Sequence, residues 1–520
     1  MEKIGKLTSI IIILLIIIPL ASLLSYGNID SFQVINEKKH LFLTSSINTF
    51  YLLSITILVS LFLGLVPAWY ITINQFKFRK TIDFLMYLPL AIPTYIMAFS
   101  YGEMLSYTGP FQTLLRNYFE PISNFFNRDY LTIEILGIIL GLSLYPYVYA
   151  SCRISFSLIG KTYLNLSKTL GNNWFKTFFK VVIPLSMPSI LSAIFLVSME
   201  VLNEYGAVKY FGINTFTTEI FKSWYSLNDE STAVAIAIIL LLIVFVIFSF
   251  EYFYNSRLKF NYTPNSNINY TNNDNNTIFP YVFSFFPIIF GFFIPLLFIF
   301  FNVFDNIGSY NLIKLTSYTA NSIIISAVSS SIIVLLLLFI LFIDNQYKST
   351  LSKTLTLLTS LGYALPGAVL GLSLIIFSKL LNNNIIDISL IGTFSLLIYA
   401  LVIRFIAVGR SPLKSSIDKI PESTFEKAQN LGLDNYGLLR KIYLPLNKLG
   451  IISAFMLCFI DVMKELPITL ILMPFNFNTL STKTYELAVE EMVDLSGIFS
   501  LLIIGICSLT LFAVKKYFSE

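Results

Sequence analysis

Long apolar runs alternate along this chain with short polar passages, many of them basic. A bilayer core of about 30 Å takes roughly 20 apolar residues of helix, and a backbone inside it must satisfy its own hydrogen bonds. Twelve segments meet that requirement: 7–26, 49–71, 83–105, 134–152, 187–208, 231–254, 279–302, 319–343, 355–381, 388–409, 449–473 and 494–514. The pattern predicts an all-α polytopic membrane protein. Its first run, MEKIGKLTSIIIILLIIIPLAS, has the basic start of a signal peptide, with Ala21 near a potential cleavage point. The apolar stretch is long for that role, so a retained helix is the expectation.

The twelve segments divide into two sets of six. Between them, residues 255–278 are polar, Asn-rich and free of helical periodicity, which reads as a cytoplasmic linker. The predicted organisation is a leading helix (1–26), a first half (27–254, core 48–254), the linker (255–278) and a second half (279–520, core 319–514). The halves correspond in detail: Pro93 in YLPLAIPTY has a counterpart 273 residues on at Pro366, and Asn48 has Asn321 at the same offset. Six helices per half in one orientation predict a parallel repeat, with a pseudo-two-fold axis along the membrane normal.

Two polar passages repeat as well. Residues 422–445, ESTFEKAQNLGLDNYGLLRKIYLP, predict a short helix around Phe425, Ala428 and Leu431, then a break at Gly432. Asp434 is placed to cap a second short helix, and Pro445 to open the next span. Residues 163–184, YLNLSKTLGNNWFKTFFKVVIP, have the same layout, with Gly171 preceding Pro184 by the thirteen residues that separate Gly432 from Pro445. Two such loops point to a duplicated docking element.

Composition agrees: 56% hydrophobic and 12% charged residues leave too little polar surface to coat a soluble globule of 520 residues. With the N-terminus inside, 24 of the 34 Lys and Arg residues fall on the cytoplasmic side, Arg404 counted among them. Seven lie outside, and Lys209, Lys379 and Lys464 sit within or at the ends of spans. This bias puts both termini and both docking loops in the cytoplasm. The net charge of +5 follows from topology and calls for no nucleic-acid partner. Cys152, Cys458 and Cys507 are dispersed through apolar runs without metal-ligand spacing, and His40 reads as an interfacial loop residue. Gly160-Lys161-Thr162 imitates the end of a phosphate-binding loop, but its first glycine would fall on Ser155 and no strand precedes it. Any nucleotide chemistry would then belong to another subunit.

Ionisable residues inside spans are the sharper signal, since a charge near the bilayer centre costs about 3 kcal/mol on insertion scales. The fifth span carries Glu200 and Glu204; the eleventh carries Asp461, Lys464 and Glu465. Glu200 and Asp461 are 261 residues apart, as are Glu204 and Glu465, and as are Gly171 and Gly432. The repeat predicts four carboxylates at helical i, i+4 spacing converging on one pathway. They would form a polar path or gate attracting a hard cation, without permanent metal binding. The alternative is interhelical pairing, Lys464 with Asp461 or Glu465.

The spacing of Glu426, Ala428, Gly432, Leu444 and Pro445 resembles the EAA loop of binding-protein-dependent ABC transporter permeases. The first copy has Asn165, Leu166 and Ser167 where that family has Glu-Ala-Ala, and keeps Gly171, Ile183 and Pro184. GPFQT (109–113), NEYGAVKYFGINTFTTEIF (203–221) and KELPITLILMPFNFNTLSTKTYELA (464–488) resemble two-domain iron(III) permeases, kin of thiamine and phosphonate permeases. Met473 departs from the basic residue that pattern has. The resemblance implies the MetI-like architecture of a type I ABC importer permease, with two fused six-helix halves in a plasma (inner) membrane. It implies two copies of a cytoplasmic ATPase, which would bind ATP and Mg, on the EAA loops, with unequal grip because the first loop lacks the acid. An extracytoplasmic binding protein would deliver iron(III), with no cofactor and no enzymatic activity in this chain. Path or gate residues would be Glu200, Glu204, Tyr205, Asp461, Lys464, Glu465 and Pro467. A gradient-driven secondary transporter is the competing class; a membrane enzyme would need a His, Cys or Ser constellation that is not evident.

Overall fold

The structure, a computed structural model, describes residues 2–27, 29–119, 126–159, 161–257, 279–347, 359, 362–384 and 390–519. The linker, the start of the ninth span and Gly160 lie largely or wholly outside these residues.

Every predicted span has a helical counterpart among the described residues. Eight helices are long and apolar enough to cross a membrane unbroken: Lys39–Ile73, Ile133–Leu158, Phe175–Asn203, Glu230–Tyr254, Phe279–Asp305, Leu312–Asp344, Phe394–Ile417 and Val493–Lys515. Two bent helix pairs, each a broken span or a re-entrant loop, accompany them: Arg79–Ala91 with Thr94–Tyr118, turning by 87°, and Tyr436–Leu446 with Lys448–Lys464, turning by 72°. Glu2–Tyr26 and Gly367–Asn384 are the remaining apolar helices. His40 sits in the first turn of the Lys39–Ile73 helix rather than in a loop.

Helices approach most closely where the side chain is missing. Gly137 and Gly141 face Ile55 and Val59, and a Cβ on either glycine would fall 2.6 and 2.5 Å from atoms of those residues. Gly64 faces Val148 in the same way from the opposite helix, at 2.6 Å. Small residues four apart let the Lys39–Ile73 and Ile133–Leu158 backbones close together, as van der Waals contact requires in lipid, where hydrophobic driving force between helices is absent.

The repeat is visible in polar detail. Asn48 Nδ2 donates to Asn214 O and Asn321 Nδ2 to Asn478 O, each at 3.0 Å. Pro93 and Pro366 each precede a helix and accept its first backbone bond, from Met97 and Leu370. Thr215 with Thr218, and Thr479 with Thr482, form matching capping boxes. The leading helices cross between halves: Ser22 Oγ of Glu2–Tyr26 donates to Ser373 O at 3.1 Å, while in Phe279–Asp305 Phe290 O accepts from Tyr101 at 2.6 Å. The core therefore interlocks the halves.

Candidate functional site

Both docking loops fold as helix, turn and helix. Lys161–Thr169 and Trp174–Thr177 flank Gly171; Glu422–Asn430 and Asn435–Leu438 flank Gly432. The glycines adopt φ of +76° and +84°, and each turn closes with the same bond five residues back, Asn172 N to Ser167 O (3.1 Å) and Leu433 N to Ala428 O (3.2 Å). This is the Schellman closure, for which glycine is the favoured residue. Asp434 Oδ1 accepts from Gly437 N at 2.8 Å, as expected, and Asn173 Oδ1 accepts from Lys176 N at 2.9 Å in the first loop.

Ser167 and Ala428 are buried beneath their turns, Asn165 is exposed, and the Glu426 side chain is outside the described set. Ile183 and Pro184 lie inside the continuous Phe175–Asn203 helix and do not open their span. Pro445, with Leu444, does not open its span: it belongs to the short Leu444–Leu446 helix, and the chain bends at Asn447 before Lys448–Lys464. Asn447 is buried and bonded to Tyr443 O (2.8 Å) and Ser416 (3.0 Å), so the bend is held by internal hydrogen bonds. Leu431 lies beyond its helix and is 85% exposed; Leu170, at the matching place, is 79% exposed. Phe175 and Tyr436, another matched pair, are exposed as well.

The seven predicted path residues come together. Glu200, Glu204, Tyr205, Asp461, Lys464, Glu465 and Pro467 all line one cavity of about 70 Å³ between the halves. Their arrangement differs from four carboxylates on continuous helices. The fifth and eleventh spans break at Asn203 and Lys464, and Glu204 and Glu465 sit in extended backbone at the breaks. Each then turns its carboxylate onto the short helix that follows: Glu204 Oε1 accepts from Ala207 N (3.0 Å) and Glu465 Oε1 from Ile468 N (3.1 Å). These caps satisfy backbone donors that a broken helix would otherwise leave bare in a membrane. Thr217 and Ser481 hydroxyls bind the Glu204 and Glu465 carbonyls at 2.8 and 3.0 Å.

Beyond the caps the halves diverge. Lys464 pairs with Asp461 at 3.1 Å and reaches Leu90 O at 3.3 Å. Glu465 pairs not with Lys464 but with Arg404, Nε to Oε2 at 3.4 Å. Arg404 is 3% exposed, in the middle of Phe394–Ile417 rather than among the cytoplasmic charges, and its Nη1 donates to Asn203 Oδ1 (2.7 Å) and Leu365 O (3.1 Å). In the first half, Glu204 accepts from Thr94, and Glu200 from Tyr363 and from Tyr147 (3.4 Å). Neither of those glutamates has a Lys or Arg within 4 Å among the described residues. Arg404, Asn203, Tyr147 and Thr94 are site residues that the span analysis missed. A lone arginine inside SLLIYALVIRFIAV was the available signal for the first. The cysteines are free and buried.

A family model described as binding-protein-dependent transport system inner membrane component matches residues 60–260 and 337–520. The chain is 24% identical over 489 residues to the Fe(3+)-transport system permease protein FbpB 2 of Haemophilus influenzae, covering 90% of this chain and 89% of that protein. It is 27% identical over 158 residues to the sulfate transport system permease protein CysT of Escherichia coli, covering 30% of this chain and 54% of that protein. Against the molybdenum transport system permease protein ModB of Azotobacter vinelandii it is 26% identical over 168 residues, covering 32% and 71%.

Proposed function

The chain belongs to the binding-protein-dependent transport system inner membrane components, and from that premise we propose that it is the permease subunit of an ATP-driven importer passing iron(III) inward. It is a multi-pass membrane protein of two fused halves. The cargo assignment is carried by the cavity between them: four carboxylates and two cations give its wall a formal excess of two negative charges. Such a wall attracts a hard cation, whereas sulfate or molybdate would be repelled. The near full-length likeness to an iron permease supports the same reading.

Energy would come from two copies of a cytoplasmic ATPase, seated on residues 163–184 and 422–445. The matched exposed pairs Leu170 with Leu431 and Phe175 with Tyr436 are the apolar contacts such a partner would cover. Both termini would face the cytoplasm of a plasma (inner) membrane, and an extracytoplasmic binding protein would present cargo from the other side. ATP-driven closure of the ATPases would move the two loops and rock the halves between inward-open and outward-open states. Covalent chemistry would stay in the ATPase, which would hold ATP and Mg, and this chain would need no cofactor.

The test is uptake by vesicles carrying the permease, its ATPase and its binding protein. Labelled iron(III) should accumulate with ATP and be unaffected by excess sulfate, molybdate or thiamine. Accumulation of any of those three in place of iron would overturn the cargo; accumulation driven by an ion gradient without ATP would overturn the class. A thiol at Leu170→Cys or Leu431→Cys should label from the cytoplasmic face and become protected when the ATPase is assembled.

A further inference from the structure

Resting on the reading of the central cavity as the path, we propose that Arg404 is a specificity-determining residue. By neutralising Glu465 in the second half, it confines the uncompensated negative charge of the path to Glu200 and Glu204 of the first half, where an incoming trivalent cation is held in passing.

The inference rests on how unequally the repeat distributes charge. Each half contributes two acids to the cavity at matching positions. The second half brings its own counter-ions: Lys464 on Asp461 at 3.1 Å and Arg404 on Glu465 at 3.4 Å. The first half brings none. Asn203 stands where the second half has Lys464, and Ser143 where it has Arg404, both at the 261-residue offset, and both line the cavity.

Arg404 cannot swing away to serve the first-half acids. Its Nη1 is tied to Asn203 Oδ1 and Leu365 O, and Gly367 N donates to the same Asn203 oxygen at 2.6 Å. A Cβ on Gly367 would lie 3.0 Å from Glu465 and 3.1 Å from both Arg404 and Asn203, so this corner is closed by packing. Its charge is therefore fixed beside Glu465.

The side chains that hydrogen-bond to Glu200 and Glu204 are hydroxyls, and Lys464 of the same cavity is paired with Asp461. Tyr147, Tyr363 and Thr94 converge on the two glutamates from three different helical segments, and Tyr147 and Thr94 line the cavity. Tyr95, buried, lines the same cavity. Two carboxylates among hydroxyl oxygens are the ligand chemistry of a hard cation. Hydroxyls can rotate away and return, so they leave the acids available while an ion passes, which tethered cations would not.

Terbium(III) tests this directly, because it is a hard trivalent cation whose emission is sensitised by nearby tyrosine. Titrated into the intact reconstituted transporter, wild type should give tyrosine-sensitised emission. Glu200→Gln and Glu204→Gln should each weaken the binding about tenfold or more, the scale of removing one charge from a poorly solvated site. The charge-balanced pair Arg404→Gln/Glu465→Gln removes no net charge, so it should weaken binding much less than either first-half variant, and Arg404→Lys, which keeps the counter-charge, should weaken it least. Should Arg404→Gln alone assemble, it should bind more tightly.

Absence of emission in wild type, or equal loss from the first-half variants and the charge-balanced pair, would overturn the proposal. Iron uptake per folded permease separates this failure from that of the underlying reading. If Glu200→Gln/Glu204→Gln transports normally, the cavity is not the path. If uptake falls alike for acids of both halves, the path stands and the asymmetry falls.

Discussion

Replacing Gly432 by valine isolates the contribution of one backbone conformation to coupling. The residue holds φ +84°, and a Cβ built on it would meet nothing within 4 Å. Steric crowding with neighbours therefore plays no part, and the whole effect is the cost of a left-handed backbone for a residue with a side chain, about 1–2 kcal/mol. A β-branched residue belongs at the upper end. That amount changes the population of the turn by about tenfold per 1.4 kcal/mol, enough to displace Leu431 and Tyr436 from the positions that match Leu170 and Phe175. Because the loop is on the surface, it can relax into another turn, and the melting temperature of the permease should stay nearly unchanged.

The assay is substrate uptake and ATP hydrolysis per assembled complex across Gly432→Asn, →Ala and →Val. Asparagine tolerates this region best, so loss of coupling should rise in that order. Gly171→Val should act similarly at φ +76°, and Gly392→Val, at φ +74° and equally uncrowded, is the control outside the docking loops. Normal uptake by Gly432→Val, or the same uncoupling from Gly392→Val, would refute the reasoning.

Other expectations are briefer. Gly141→Leu should lower the yield and melting temperature of folded permease, since its Cβ alone would fall 2.5 Å from Val59, and overpacking of this kind typically costs about 1–3 kcal/mol. Glu204→Ala and Glu465→Ala should each lose a helix cap worth about 1 kcal/mol, read as reduced thermal stability, with Glu465→Ala the more harmful because it also strands Arg404. At Asp229, burial opposes ionisation, but the hydrogen bonds from Lys38 and Thr232 outweigh it and hold the carboxyl at about 2. A depressed value means the Lys38 pair stabilises above the ordinary carboxyl range near pH 4 and is lost as pH falls toward about 2. The melting difference between wild type and Asp229→Asn should shrink across that window, and solvent screening of this part-exposed pair keeps it below about 1 kcal/mol.

Much of this molecule is legible in one dimension. Lipid demands apolar runs of a set length, so hydropathy locates the spans; a turn with positive φ demands glycine, so Gly171 and Gly432 locate the docking loops. Duplication preserves offsets, and the pairs Glu200 with Asp461 and Glu204 with Glu465 follow from that alone. What only the tertiary structure decided is where the helices break and which charges meet. A hydropathy window averages across the breaks after Asn203 and Lys464, because an acid three residues before a backbone N–H can either continue a helix or cap a new one, and the choice rests on partners such as Thr217 and Ser481, 13 and 16 residues further on. The pairing of Glu465 with Arg404, 61 positions away, in place of the adjacent Lys464 arises for the same reason. Burial makes an ion pair depend on three-dimensional proximity and on anchors such as Asn203 from the other half, neither of which is encoded in local spacing.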